Sequence, residues 1–302
     1  MQAQRTVWTI LKILQWTQQY FSSKGVENPR LDAEVLLCAV LDKSRIQLYT
    51  NFDEPLEEQE LKQYRGYVAR RAAREPVAYI LGHKGFLQYD FKVTQDTLIP
   101  RPETELLVEQ LVSLTKDRGP LRILDLGCGS GAIVDSLLAE LPEAHGTGVD
   151  ISSGAVEVTR ENARSLGVED RLDTVVSNLY EKVPKEPKFQ VLVSNPPYIP
   201  EGDLAGLQAE VHREPRRALD GGRDGLDFYR RILKDIWEYL DPQGLAAFEI
   251  GQDQGEDVAR LCQEAGLDCV KVRKDYGDKD RMVFAAKGGS VYGNAVLEIK
   301  ER

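Results

Sequence analysis

Asp125-Leu126-Gly127-Cys128-Gly129-Ser130-Gly131 decides the fold. It closes an apolar run over residues 121–126 that reads as a buried strand, and residues 133–140 after it read as a helix. Three glycines at alternate positions let the chain turn tightly and approach a ligand with no Cβ in the way. The spacing is GxGxG rather than the GxGxxG dinucleotide fingerprint, so the turn alone is a weak signal.

Outward from this turn the chain alternates strands and helices. Strands are predicted over 146–149, 172–176, 189–193 and 245–250, with two closing strands near 267–273 and 282–286; helices are predicted over 153–166, 227–240 and 256–265. The rhythm predicts an α/β domain with a parallel sheet covered on both faces and one antiparallel edge strand. Asp150 ends the strand after the glycine turn, where an acidic side chain can accept both ribose hydroxyls of an adenosine ligand. Turn and aspartate together predict a nucleoside cofactor; a structural turn with a solvated aspartate is the plainer alternative. Asn178 and Leu179 end the third strand, where Asn178 can meet a base edge and Leu179 its face, and a simple loop accounts for them equally well.

Val191-Leu192-Val193-Ser194-Asn195-Pro196-Pro197-Tyr198 is the second informative stretch. A short buried strand is stopped by two prolines, with an amide oxygen at the stop and an aromatic ring beyond it. In a parallel sheet this end shares a crevice with the glycine turn. A planar amino or amide nitrogen is a poor nucleophile, and two acceptors aimed at its N–H groups hold it and favour positive charge during attack. Asn195 supplies one oxygen and the Pro196 carbonyl the other; Pro197 restricts Pro196 to extended geometry. Tyr198 can cover the planar group. The expectation is methyl transfer to such a nitrogen, governed by in-line positioning, against the alternative of a rigid loop with a buried tyrosine.

Residues before the hairpin read as helices, with a first from about Thr6, a second from Leu31, a third opened by Asp53-Glu54-Pro55 and a fourth over 60–73. Arg65, Arg70, Arg71 and Arg74 on the fourth suggest either a solvated face or an acidic partner. Residues 85–93 alternate as in a hairpin joining two domains. The expected organisation is a helical positioning domain at 1–82, a β-hairpin linker at 83–100, the α/β domain at 101–287 and a loose polar tail at 288–302. The 302 residues carry 42% hydrophobic and 29% charged residues, ordinary for a globular protein. The net charge of −10 argues against gripping a phosphate backbone. Residues 1–19 lack a signal-peptide pattern and no run is long enough for a membrane span. Cys38, Cys128, Cys262 and Cys269 show neither a CxxC pair nor ligand spacing with histidine. The expectation is therefore a cytoplasmic monomer with reduced thiols, no metal, and no stable nucleic-acid or membrane partner.

Several blocks resemble the HemK/PrmC family of protein-(glutamine-N5) methyltransferases. They are Glu75-Pro76-Val77-Ala78-Tyr79-Ile80-Leu81-Gly82, Leu98-Ile99-Pro100-Arg101-Pro102-Glu103-Thr104-Glu105, the glycine turn, and Ser194-Asn195-Pro196-Pro197-Tyr198-Ile199-Pro200. Glu214-Pro215, Ala218-Leu219-Asp220-Gly221-Gly222, Asp224-Gly225-Leu226-Asp227-Phe228-Tyr229, Asp275-Tyr276-Gly277 and Arg281 complete the pattern. The resemblance implies a Rossmann-like class I methyltransferase domain behind a helical bundle, and S-adenosylmethionine as methyl donor with S-adenosylhomocysteine as product. It implies donor contacts at Gly127, Cys128, Gly129, Ser130, Gly131, Asp150, Asn178, Leu179 and Asn195. Substrate contacts fall on Asn195, Pro196, Pro197 and Tyr198, with Asn195, Pro196 and Tyr198 as the catalytic set. The implied partner is a class-I peptide chain release factor, modified at the glutamine of Gly-Gly-Gln. Asn-Pro-Pro-Tyr is also shared with DNA adenine methyltransferases. That reading, a glutamine methyltransferase acting on a ribosomal protein, and a ligand-binding adaptor are the alternatives. Three positions depart from the family: Asn178 stands where aspartate is usual, and Asp135-Ser136 stand where small and apolar residues are expected.

Overall fold

Capping side chains and apolar spacing set the N-terminal helices. A computed structural model describes residues 7–301; the expected helix start at Thr6, the first six residues of the 1–19 stretch and the tail's last residue lie outside them. The described residues fall into two units that divide at Gly82 and His83, with Gln208–Arg213 counted with the first. The first unit holds α1 (Ile10–Ser23), α2 (Pro29–Leu41), α3 (Arg45–Thr50), α4 (Glu58–Ala72) and α5 (Val77–Leu81). In α1 the Thr9 hydroxyl accepts from Lys12 N, and Ile10, Ile13, Thr17 and Phe21 form its buried stripe. Pro29 opens α2.

Two expectations for this unit change. Pro55 does not open a helix: it bridges to Thr9, and Leu56 N donates to Trp8 O while Ile10 N donates to Glu54 O. The third helix is α3, started earlier by a Ser44–Gln47 capping box. Three of the four arginines on the α4 stretch are spent internally. Arg71, 5% exposed, pairs with Asp32 at 2.7 Å and Glu210 at 2.8 Å; Arg74 also reaches Glu210, and Arg70 pairs with Glu75. A guanidinium can be buried only when carboxylates meet it.

The second unit begins with a hairpin, β1 (His83–Phe86) and β2 (Tyr89–Lys92), followed by α6 (Pro102–Thr115). Then come β3 (Arg122–Leu126), α7 (Ala132–Glu140), β4 (His145–Asp150), α8 (Ser153–Leu166), β5 (Leu172–Val176) and β6 (Phe189–Ser194). The chain closes with α9 (Asp227–Lys234), α10 (Ile236–Tyr239), β7 (Leu240–Glu249), α11 (Gly255–Glu264), β8 (Cys269–Lys274), β9 (Asp280–Ala286) and α12 (Gly293–Leu297). The helix expected over 227–240 is thus two, broken at Asp235. The hairpin is fastened to this unit: Lys92 N donates to Asn162 Oδ1, and Asn162 Nδ2 donates to Lys92 O.

One seven-stranded sheet runs β5-β4-β3-β6-β7-β9-β8. The first five strands pair in parallel, and β9 is antiparallel to both neighbours. The antiparallel strand is therefore not the edge. Sequence explains the order: Met282-Val283-Phe284-Ala285-Ala286 is continuously apolar and fully buried, whereas β8 carries Lys271, Arg273 and Lys274, charges that suit an edge. Alternate side chains feed two cores. Ile123, Val191 and Val193 face the cluster with α6 and α7, while Leu124, Leu126 and Leu192 face the one with α9 and α11. The tail, expected to be loose, joins the first core: Tyr292, Val296 and Ile299 are buried at helical spacing, and Lys274 N donates to Glu301 O.

Asp135, read as a departure, lies on the buried face of α7 at 0% exposure, as does Asp125 on β3, and no oxygen of either carboxyl has a hydrogen-bond partner. Burial pushes Asp125 up to about 7, with Asp150 adding to it; burial and Asp125 push Asp135 well above the usual carboxylate range. The folded chain keeps protons that the unfolded chain releases, so stability falls as pH rises from the ordinary carboxylate range to about 7. Asp135→Ala is expected to raise stability at pH 8 by about 1–3 kcal/mol and to flatten this decline. Urea unfolding at pH 5 and pH 8 checks it; an unchanged difference between the two would contradict it.

Candidate active site

At the carboxyl ends of β3, β4 and β6, where the strand order reverses, lies a cavity of about 450 Å³. Open α/β sheets bind ligands at this place, and the volume suits a nucleoside-sized ligand. Its floor is the turn after β3. Gly127 N and Cys128 N both donate to Val149 O, which ties the turn to β4. Gly127 has φ +81°, and a Cβ built there meets no protein atom within 4 Å: it would enter the cavity. The rest of the turn is held from α8, by Thr159 Oγ1 donating to Gly129 O and Asn162 Nδ2 donating to Ser130 O.

Asp150 ends β4 on the cavity wall. Its Oδ2 accepts from Gly129 N at 3.0 Å and its Oδ1 from Ser152 N at 2.8 Å. Burial raises its pKa, with the Ser152 and Gly129 amides acting against it. Each oxygen keeps a lone pair for a ligand hydroxyl. Asn178 and Leu179 line the far wall. Asn178 Oδ1 accepts from Arg231 at 2.7 Å and its Nδ2 donates to Glu181 at 2.7 Å; the Arg231 guanidinium also lies 5.3 Å from the Phe228 ring centre. The amide suits this place better than a carboxylate, because Glu181 needs a donor.

Asn195, Pro196 and Pro197 form the opposite wall, in the same cavity as the glycine turn and Asp150. Tyr198, next in the chain, does not line the cavity; half-buried, it packs against the core of β7 and α9, and burial pushes its hydroxyl up to about 12. The loop is cradled from residues 219–225: Ile199 N donates to Leu219 O, and Gly221 N to Ile199 O. At Gly225, a Cβ would stand 2.3 Å from Tyr198 O, so only glycine permits this approach.

Comparison with known proteins adds the family. Residues 12–82 match the PrmC N-terminal domain, and residues 102–222 match the methyltransferase small domain. A release factor glutamine methyltransferase of Geobacter sulfurreducens is 46% identical over 92% of this chain and 96% of its own; one of Rhodospirillum rubrum is 44% identical over 87% and 80%. The chain belongs to the release factor glutamine methyltransferases. Among solved structures, the hMettl16 catalytic domain in complex with MAT2A 3'UTR hairpin 6 gives a TM-score of 0.52 at 14% identity, covering 76% of this chain and 82% of that one, a likeness of fold.

In this release factor glutamine methyltransferase the Leu98–Glu105 block, quoted from sequence only for its resemblance, has a physical account. Ile99 N and Arg101 both bond Glu214, which is 5% exposed. Thr104 donates to Glu249, and Glu105 accepts from Leu87 N. Sequence reading assigned no site role to Arg101, Thr104, Glu214, Arg217, Phe228, Arg231 or Glu249. Glu249 alone left a clear signal, a single charge in the apolar run over 245–250. The four cysteines are free. Among the described residues, no group of three or more His, Cys, Asp or Glu side chains is placed to hold a metal, and no helix is long and apolar enough to cross a membrane.

Proposed function

We propose that the cavity binds S-adenosylmethionine and that the enzyme methylates the side-chain amide nitrogen, N5, of the glutamine in the Gly-Gly-Gln motif of class-I release factors. The observation that carries this reading is that Asn195 and Pro196 share one cavity with the glycine turn and Asp150. The residues fit the donor: a Cβ-free surface at Gly127, a carboxylate at Asp150 with acceptor capacity to spare, and Asn178 and Leu179 beyond it for the base. When bound, S-adenosylmethionine supplies a sulfonium methyl and is left as the neutral thioether S-adenosylhomocysteine. Asn195 Oδ1 and the Pro196 carbonyl accept the two N–H groups of the substrate amide and oppose the positive charge that grows on its nitrogen. The methylated nitrogen then loses a proton readily, so the chain needs no strong base. The helical unit, rich in internal ion pairs, positions the release factor.

Purified protein is expected to transfer labelled methyl to a release factor and not to its Gln→Ala form in Gly-Gly-Gln, with mass spectrometry placing the added mass on that glutamine. Equal labelling of the Gln→Ala protein, or of duplex DNA, would remove this reading.

A further inference from the structure

Asn195 serves the reaction only if its amide is the right way round. Its oxygen must face the substrate, yet the two ends of a carboxamide are nearly equal in size, so packing alone does not choose between them. Hydrogen bonds make the choice.

β6 and β7 run side by side with Ser194 paired to Phe248, so the next residues, Asn195 and Glu249, follow from neighbouring strand ends. Glu249 is 1% exposed, the one charge in an apolar strand end, and its backbone carbonyl is held by Tyr229 Oη. Thr104, 3% exposed in the first turn of α6, donates its hydroxyl to Glu249 Oε2 at 2.5 Å. A hydroxyl has one proton. With that proton committed to the carboxylate, Thr104 Oγ1 offers Asn195 only a lone pair, and Asn195 Nδ2 lies 3.4 Å from it. An ionised Glu249 is likewise an acceptor alone, so an Asn195 oxygen turned inward would face two acceptors and no donor. Burial pushes the Glu249 carboxyl up to about 7, while Thr104, Arg281 and Asn195 act against this and Glu103 adds to it, so the contacts that orient Asn195 also favour the accepting form.

We infer that Thr104 and Glu249 are positioning residues that hold the Asn195 amide with Nδ2 inward and Oδ1 toward the substrate nitrogen. They act through Asn195, and the inference rests on the role given to Asn195 above. It also accounts for a threonine at that place in the Pro102-Glu103-Thr104-Glu105 block: an apolar side chain there would leave both the Glu249 carboxylate and the Asn195 amide without this partner.

The test uses the full chain, a purified release factor and labelled methyl donor. Thr104→Val is expected to lower kcat about 10²-fold, with the KM for release factor and the donor Kd from calorimetry within about threefold of wild type. Thr104→Ser keeps the hydroxyl and is expected to restore kcat to within about threefold. An unchanged kcat in Thr104→Val, a Thr104→Ser as slow as Thr104→Val, or a loss confined to KM or donor Kd would each overturn the relay. If Thr104→Val does not fold, Glu249→Gln is read instead, with the same split expected and an unchanged kcat overturning it. Asn195→Ala separates the two readings. Full turnover in that variant removes the role of Asn195 itself, whereas its loss beside an active Thr104→Val removes only the relay.

Discussion

Asn195→Ala is expected to lower methyl transfer to a release factor by roughly 10²–10³-fold, with a much smaller change in donor affinity. On the proposed mechanism the variant deletes one of two acceptors for the substrate amide and leaves the other, the Pro196 carbonyl, in a loop still held by Ile199 N to Leu219 O and Gly221 N to Ile199 O. Gly127, Gly129 and Asp150, the residues proposed to hold the donor, are untouched. The effect therefore belongs in kcat: the acceptor matters most as positive charge develops on nitrogen, and a contact that strengthens only then acts on turnover. Single-turnover transfer of labelled methyl, read beside calorimetric titration of S-adenosylmethionine, separates the two quantities. Unchanged turnover would remove the assigned chemistry.

Asp150→Ala has the second large expected effect, a rise in the S-adenosylmethionine Kd of about 10²-fold or more. Two losses combine. The ribose hydroxyls lose a charged acceptor, and Gly129 N and Ser152 N lose the carboxylate that holds the turn in shape before any ligand arrives. Asp150→Asn is expected to recover little of this. An asparagine has one oxygen for two backbone donors, so its NH₂ must face either Gly129 N or Ser152 N. Calorimetry showing both variants within twofold of wild type would refute the assignment.

How far sequence reading carries is clearest where it succeeds by pattern and fails by context. Glycine spacing, strand ends and prolines are local, and they located the turn, Asp150 and the Asn195-Pro196-Pro197 wall that the structure gathers into one cavity. Tyr198 had the right chemistry to cover a substrate, but it does not line the cavity, and its half-buried side chain packs against the core of β7 and α9. Arg71 read as surface charge because its partners Asp32 and Glu210 are far away in sequence. Thr104 and Glu249 stand 145 positions apart, and no periodicity links them. The tail is a different kind of miss. Tyr292, Val296 and Ile299 keep helical spacing, but two glycines precede them and polar residues between them mask the pattern. The edge strand was legible in principle from the charges on Lys271, Arg273 and Lys274 against the apolar Met282–Ala286 run.

Strand order also bears on how the chain is made. β9 lies between β7 and β8, so the outer edge of β7 is completed by residues made after β8. A ribosome-bound chain that has exposed β7 and β8 but still holds residues 280–286 in the exit tunnel has no partner for that edge. The tail that seals the α6 side of the core emerges later still. Up to that point the nascent chain presents an open strand edge bearing Ala246, Ala247 and Phe248, the surface that a holding chaperone or a neighbouring nascent chain would meet first.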